Sequence, residues 1–125
     1  MLQLNKYLRE LGIDENYWLF DKKIIERDNR YKPDKDGFIN AEFFNLDMTF
    51  NMYIYSHLCY FRDNCLNGHP SSMTFEQWKN IIDKMIEAFK LQIITDNDWK
   101  ISKNKQKKIN YGMRLFIKYY NHLWW

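Results

Sequence analysis

Residues 41–91, AEFFNLDMTFNMYIYSHLCYFRDNCLNGHPSSMTFEQWKNIIDKMIEAFKL, constrain this chain more than any other stretch. They read as two amphipathic helices joined by a polar connection around Asn67-Gly68-His69-Pro70. In the second helix Thr74-Phe75-Glu76-Gln77 forms a capping box, in which hydroxyl and side-chain amide each satisfy an orphan backbone N–H. Trp78, Ile81, Ile82, Met85, Ala88 and Phe89 then recur at three- and four-residue spacing, with Lys79, Asn80, Asp83, Lys84 and Glu87 on the other face. Pairs such as Lys79–Asp83 add only about 0.2–0.5 kcal/mol each. The first helix is apolar all round. Its broadest face is expected to be Phe50, Tyr53, Ile54, His57, Leu58 and Phe61, flanked by Met52, Tyr55, Cys59 and Tyr60, with Asp47 as N-cap.

The rest of the chain is expected to pack around that pair. Leu4, Tyr7, Leu8 and Leu11 share one helical face, and Gly12 stands where a left-handed cap belongs. Asp14 is expected to cap a helix over residues 15–27, although the Tyr17-Trp18-Leu19-Phe20 run is apolar on every side. Residues 28–39 read as a solvated loop, since Pro33 disfavours helix before it and Asp36-Gly37 is a turn signal. Asn40 is expected to cap a short turn over residues 41–44. After a break across residues 91–99, Ser102 can cap a last helix with Ile109, Met113, Phe116, Tyr120 and Leu123 inward. Lysines at 103, 105, 107 and 108 would oppose its dipole. Either the regular helix begins nearer Ile109, which is the expectation, or these lysines face a bound anion or an acidic partner. The sequence thus predicts an all-α, compact single domain of four to five helices. Short helices and a loop occupy 1–39, the central pair 40–91, and a basic, aromatic helix 100–125.

Composition supports this reading and narrows the function. Four Gly and two Pro in 125 residues leave little material for the many turns of a strand-rich fold. No apolar run is long enough to span a membrane. The N-terminal MLQLNKYLRELG carries both charge signs, unlike a signal peptide. Cys59 and Cys65 match no zinc or redox spacing, and a reducing cytoplasm fits them best. The net charge of +3 conceals an asymmetry: residues 1–98 carry 12 basic and 16 acidic groups, whereas 99–125 carry seven basic groups and no acid.

No catalytic motif stands out, so no enzyme activity is expected. Cys59 and His57 are two apart, which points their side chains away from each other on a helix. A metal site could be assembled in space from Asp47, His57, Asp83 or Glu87, but the paired Glu-x-x-His pattern of helix-bundle metal sites is missing, so no metal or other cofactor is expected. The basic segment carries the most chemistry. Lys107, Lys108, Arg114 and Lys118 could hold phosphates while Trp99 and Tyr111 stack on a base, which suggests a nucleotide-type ligand and leaves nucleic acid open. Tyr120, Trp124 and Trp125 make a very apolar ending that suggests a protein interface, with a homodimer as its simplest form.

These segments resemble a family of small proteins from tailed bacteriophages. The matching residues are Phe44-Asn45-Leu46-Asp47 with Thr49, His57-Leu58 with Phe61, His69-Pro70, Glu76-Gln77-Trp78 and the run from Ile82 to Phe89. The resemblance closes on Gly112-Met113-Arg114-Leu115-Phe116-Ile117-Lys118-Tyr119-Tyr120 before Leu123-Trp124. It covers residues 40–125, with Phe44 and His57 where the family pattern has Trp and Arg. It implies context rather than chemistry: a viral accessory protein in the host cytoplasm, directed at a host defence or regulatory system. No functional residue is carried across by it.

Overall fold

The computed structural model describes residues 2–96 and 100–124. Its fold is all-α: five α-helices joined by turns, with no strand among the described residues. They are α1 (Lys6–Glu10), α2 (Lys22–Arg27), α3 (Leu46–Asn64), α4 (Phe75–Ile94) and α5 (Lys103–Tyr119). The chain divides into two compact units, Met1–Tyr53 and Ile54–Trp125, with the boundary falling inside α3.

In the first unit local polar groups decide where helices begin. Asn5 caps α1 by accepting from the N–H groups of Tyr7 and Leu8, and Gly12 follows the helix with φ at +89°. That left-handed residue is the cap expected from the sequence. The helix expected over residues 15–27 is corrected to a single short one starting at Lys22. Asp14 instead accepts from the Asn16 N–H at 2.9 Å, and Asp21 from the Lys23 N–H at 2.9 Å. Each aspartate closes its own turn in competition with a continuous helix, and Tyr17–Phe20 bridges the two in i to i+3 turns. The segment after α2 is also more ordered than a solvated loop. Asn29–Tyr31 forms a 3-10 turn, and Asp34 Oδ1 accepts from both Asp36 and Phe38 N–H groups at 2.9 Å.

An aromatic clamp closes this unit around Phe44. Trp18 stacks on it at 6.2 Å between centroids, Tyr31 meets it edge-on at 6.3 Å, and the Arg30 guanidinium lies 5.1 Å from its centre. Arg30 is aimed by Asp28, which it grips through Nη2 at 2.6 Å and Nε at 3.0 Å. The entry to α3 is tied by Thr49, whose buried hydroxyl donates to the Glu42 carbonyl at 2.9 Å. Asn40 is not a cap, because the turn Asn40–Phe43 begins after Ile39 without a side-chain hydrogen bond. Asp47 lies inside the first turn of α3 rather than before it, where its charge still complements the helix dipole.

The buried face of α3 also differs from expectation. Met48, Thr49, Met52, Tyr55, Ser56, Leu58 and Cys59 are buried, while Phe50, Tyr53, His57 and Tyr60 are exposed. With apolar groups on every side, periodicity could not select among faces. Burial of the flexible methionines at 48 and 52, with Tyr55, leaves the rings of Phe50, Tyr53 and Tyr60 outside.

The second unit is organised by α4 and α5. The Thr74–Gln77 capping box is present as expected, at 3.1 and 2.9 Å. Trp78, Ile82, Met85, Ala88 and Phe89 are buried as the spacing predicts, and the helix runs on to Ile94, burying Leu91 and Ile93. The last helix begins at Lys103 rather than near Ile109, because Ser102 accepts from the Lys105 N–H at 3.2 Å. All four early lysines are solvent-exposed, where dipole effects are only about 0.3–1 kcal/mol each and are screened.

Gly112 sets how closely these helices approach. A Cβ added there would overlap both the Ala88 Cβ and the Lys84 carbonyl oxygen. Around this contact Gln92 donates to the Met113 sulfur at 3.3 Å and Phe89 meets Phe116 edge-on at 5.1 Å. Nearer the start of α4, Trp78 meets Tyr119 at 5.8 Å, so the two helices run in opposite senses. Arg62, paired with its neighbour Asp63 at 2.8 Å, links the end of α3 to α4 through Asp83 at 3.3 Å.

Two predictions follow from these contacts. Gly112→Ala should lose about 1–3 kcal/mol in urea unfolding, since the obstacle is backbone and a helix-borne Cβ. Gly68→Ala, with open space around it, should stay within about 0.5 kcal/mol of the parent. In the first unit, the hydrogen bonds and charge of Arg30 hold the Asp28 carboxyl at about 2, below its ordinary 3.8. Because the folded value is depressed, the linked stability is present above pH 3.8 and is lost as pH falls through about 2. Arg30→Gln should return the Asp28 titration, followed by carboxyl NMR, to the ordinary range.

Candidate functional site

Along α5 the expected ligand residues form two groups. Lys107, Tyr111, Arg114 and Lys118 follow one another at four-, three- and four-residue steps, which makes a single stripe on the solvent face. Lys107 and Arg114 make no ion pair among the described residues, and Lys118 lies 5.4 Å from the Tyr119 ring centre. Beside the stripe, α5 and the residues after it expose Ile117 (73%), Tyr120 (61%) and Trp124 (75%). Tyr120 was expected to face inward. It touches Phe116 edge-on at 5.6 Å yet remains largely outside. Trp99 and Trp125, also expected at the site, lie outside the described residues.

Lys108 is turned to the other side. Together with Tyr111 it lines a shallow cleft of about 320 Å³ whose α4 wall is Asn80, Asp83, Lys84 and Glu87. Two carboxylates in that wall oppose a phosphate. At 4 Å a like-charge contact costs about 1 kcal/mol in water and about 4 kcal/mol near a protein surface. Among the described residues, the basic side chains therefore form an open stripe with a mixed-charge cleft at its side.

A second feature of this unit was not singled out in the sequence. A recess of about 210 Å³ opens where the end of α3, the Leu66–Pro70 connection, the first turn of α4 and the C-terminal segment meet. Phe61, Cys65 and the nearly inaccessible Trp78 supply apolar walls, while His69, His122 and Trp124 surround them. His122 meets the Trp78 ring at 6.5 Å and the Tyr119 ring at 5.9 Å. His69 Nδ1 lies 2.9 Å from the Pro70 carbonyl, which can only accept, so Nδ1 carries the proton and donates. The sequence signal was the recurrence of ring-bearing residues at 61, 69, 78, 122 and 124. No local spacing joins them.

Among the described residues no three His, Cys, Asp or Glu side chains are placed to hold an ion. No described helix is long and apolar enough to cross a membrane. Cys59 and Cys65 are buried thiols without a disulfide.

No protein-family model, curated protein or solved structure matches this chain.

The charge balance of the cleft is directly testable. Titration of the protein with inorganic phosphate should leave the Lys108 and Tyr111 amide resonances in place. The Asp83→Asn/Glu87→Gln variant should acquire phosphate-dependent shifts there. Saturable binding of phosphate by the unaltered protein would contradict this electrostatic reading.

Proposed function

We propose that this protein acts by binding rather than by catalysis, and that α5 engages an acidic surface on a protein partner. One observation carries the reading. The Lys107–Tyr111–Arg114–Lys118 stripe lies beside exposed Ile117, Tyr120 and Trp124, on a segment with no acidic residue after Asp98. Apolar groups of that size rimmed by cations match the aromatic and arginine enrichment of protein interfaces. The nucleotide-type ligand is the weaker alternative, because the cleft that Lys108 and Tyr111 line contains two carboxylates. A homodimer through the same face is disfavoured by repulsion between two like-charged stripes.

The resemblance to small tailed-phage proteins gives this reading a setting. The partner would be a host or phage protein in the bacterial cytoplasm, and occupation of its acidic surface would serve counter-defence or host takeover. Nucleic acid offers the competing polyanion, and the test separates the two.

Immobilised protein should retain a small set of acidic proteins from nuclease-treated bacterial lysate. Retention should fall when ionic strength is raised to about 0.5 M, where the screening length shrinks to a few ångströms. The Arg114→Glu/Lys118→Glu variant should fold with unchanged circular dichroism and lose them. Undiminished capture by that variant would end the proposal, and loss of all bound material on nuclease treatment would favour the nucleic-acid reading.

A further inference from the structure

The geometry points to the recess beside Trp78 as an anchor pocket that takes one aromatic side chain, tryptophan or tyrosine, from an acidic polypeptide partner. This rests on the binding reading above and gives it a specificity element. Volume decides the kind of occupant. At about 210 Å³ the recess exceeds the roughly 150 Å³ cavity that accepts benzene, yet falls short of the roughly 300–1,000 Å³ of whole small-molecule sites. One ring system fits, and a nucleotide with its sugar and phosphates does not.

The walls favour a ring with a polar edge. Trp78 presents a fixed aromatic surface, held edge-on by Tyr119 and His122. Phe61 and Cys65 complete an apolar lining. Because His69 Nδ1 donates to the Pro70 carbonyl, Nε2 is the ring nitrogen left to accept, suited to an indole N–H or a phenol O–H. Phenylalanine or leucine would leave that acceptor unused.

The pocket wall and the basic stripe both reach the Tyr119 ring. His122 in its wall lies 5.9 Å from the Tyr119 ring, and the Lys118 ammonium stands 5.4 Å from that same ring. About three residues of extended chain span such a separation. A partner segment with its ring in the recess would therefore bring a carboxylate about three positions away to Lys118. The ring supplies a buried hot spot and the carboxylate supplies orientation and encounter rate.

Two probes test this. Free indole, titrated into the full chain and followed by amide and indole N–H resonances, should give saturable shifts confined to Gly68, Trp78, His122 and their neighbours. Trp124→Ala, at an exposed position that does not endanger folding, should weaken them, and Cys65→Phe, which fills the recess, should remove them. A short Glu/Ser peptide with one tryptophan three positions from a glutamate should bind about tenfold more tightly than its counterpart with alanine there. Absent or scattered indole shifts, or equal affinity for the two peptides, would overturn the anchor pocket. The neutral indole response should survive Arg114→Glu/Lys118→Glu, whereas peptide binding should not. Loss of peptide discrimination with charge dependence intact thus condemns the pocket alone, and loss of charge dependence with indole binding intact condemns the α5 reading alone.

Discussion

The C-terminal half of this protein depends on one absent side chain. Gly112 lets the backbone of α5 lie against Ala88 and the Lys84 carbonyl, a distance that a single methyl group would prevent. A mid-helix glycine costs roughly 1 kcal/mol in propensity relative to alanine, so the close approach must return more than that in packing. The return is visible on both sides of the seam. Phe116 reaches Phe89, Met113 reaches Gln92, and Tyr119 reaches Trp78. With these groups turned inward, Lys107, Tyr111, Arg114 and Lys118 are left outward, so the inner packing determines which residues a partner can meet.

The same seam explains how an apolar segment can be both core and surface. Ile109 and Gly112 are buried, Met113 and Phe116 are half-buried, and Ile117, Tyr120 and Trp124 are outside. Towards the end of α5 the contact with α4 narrows to Tyr119 and His122 on Trp78, and the apolar side chains of Ile117, Tyr120 and Trp124 stay exposed. Two of these features meet at the recess. Trp78 is locked by Tyr119 and His122, and His122 with Trp124 extends the wall beyond the end of α5. Charge supplies attraction at a distance, and a ring-sized recess supplies discrimination at contact.

The sequence disclosed local features well and assembled ones poorly. The Thr74–Gln77 box and the Trp78–Phe89 face were legible because four residues, or one repeated spacing, contain the whole signal. Gly12 was legible for the same reason. The α2 boundary was misread because Asp14 and Asp21 each offered a cap and the apolar run between them had no preferred side. The buried face of α3 was misread because rings and methionines surround the helix, and which of them faces inward is settled by packing rather than by period. The start of α5 was misread because a lysine-rich first turn was weighed above a serine cap. Gly112 stood in the sequence without its meaning, since the residue it accommodates, Ala88, is 24 positions away. The recess draws on α3, α4, a connection and the C-terminal segment, so no local pattern could reveal it.

Native-state hydrogen exchange along α4 and α5 tests the central claim most directly. If the glycine seam docks α5, amides from residue 109 to 116 should exchange slowly, together with those of the α4 core around Ile82–Phe89. Those near Lys103 should exchange faster, as exposed first-turn groups do. An α5 that exchanges at unprotected rates throughout, while α4 stays protected, would show that the seam does not hold the helix. The stripe and the pocket wall would then lose their common foundation.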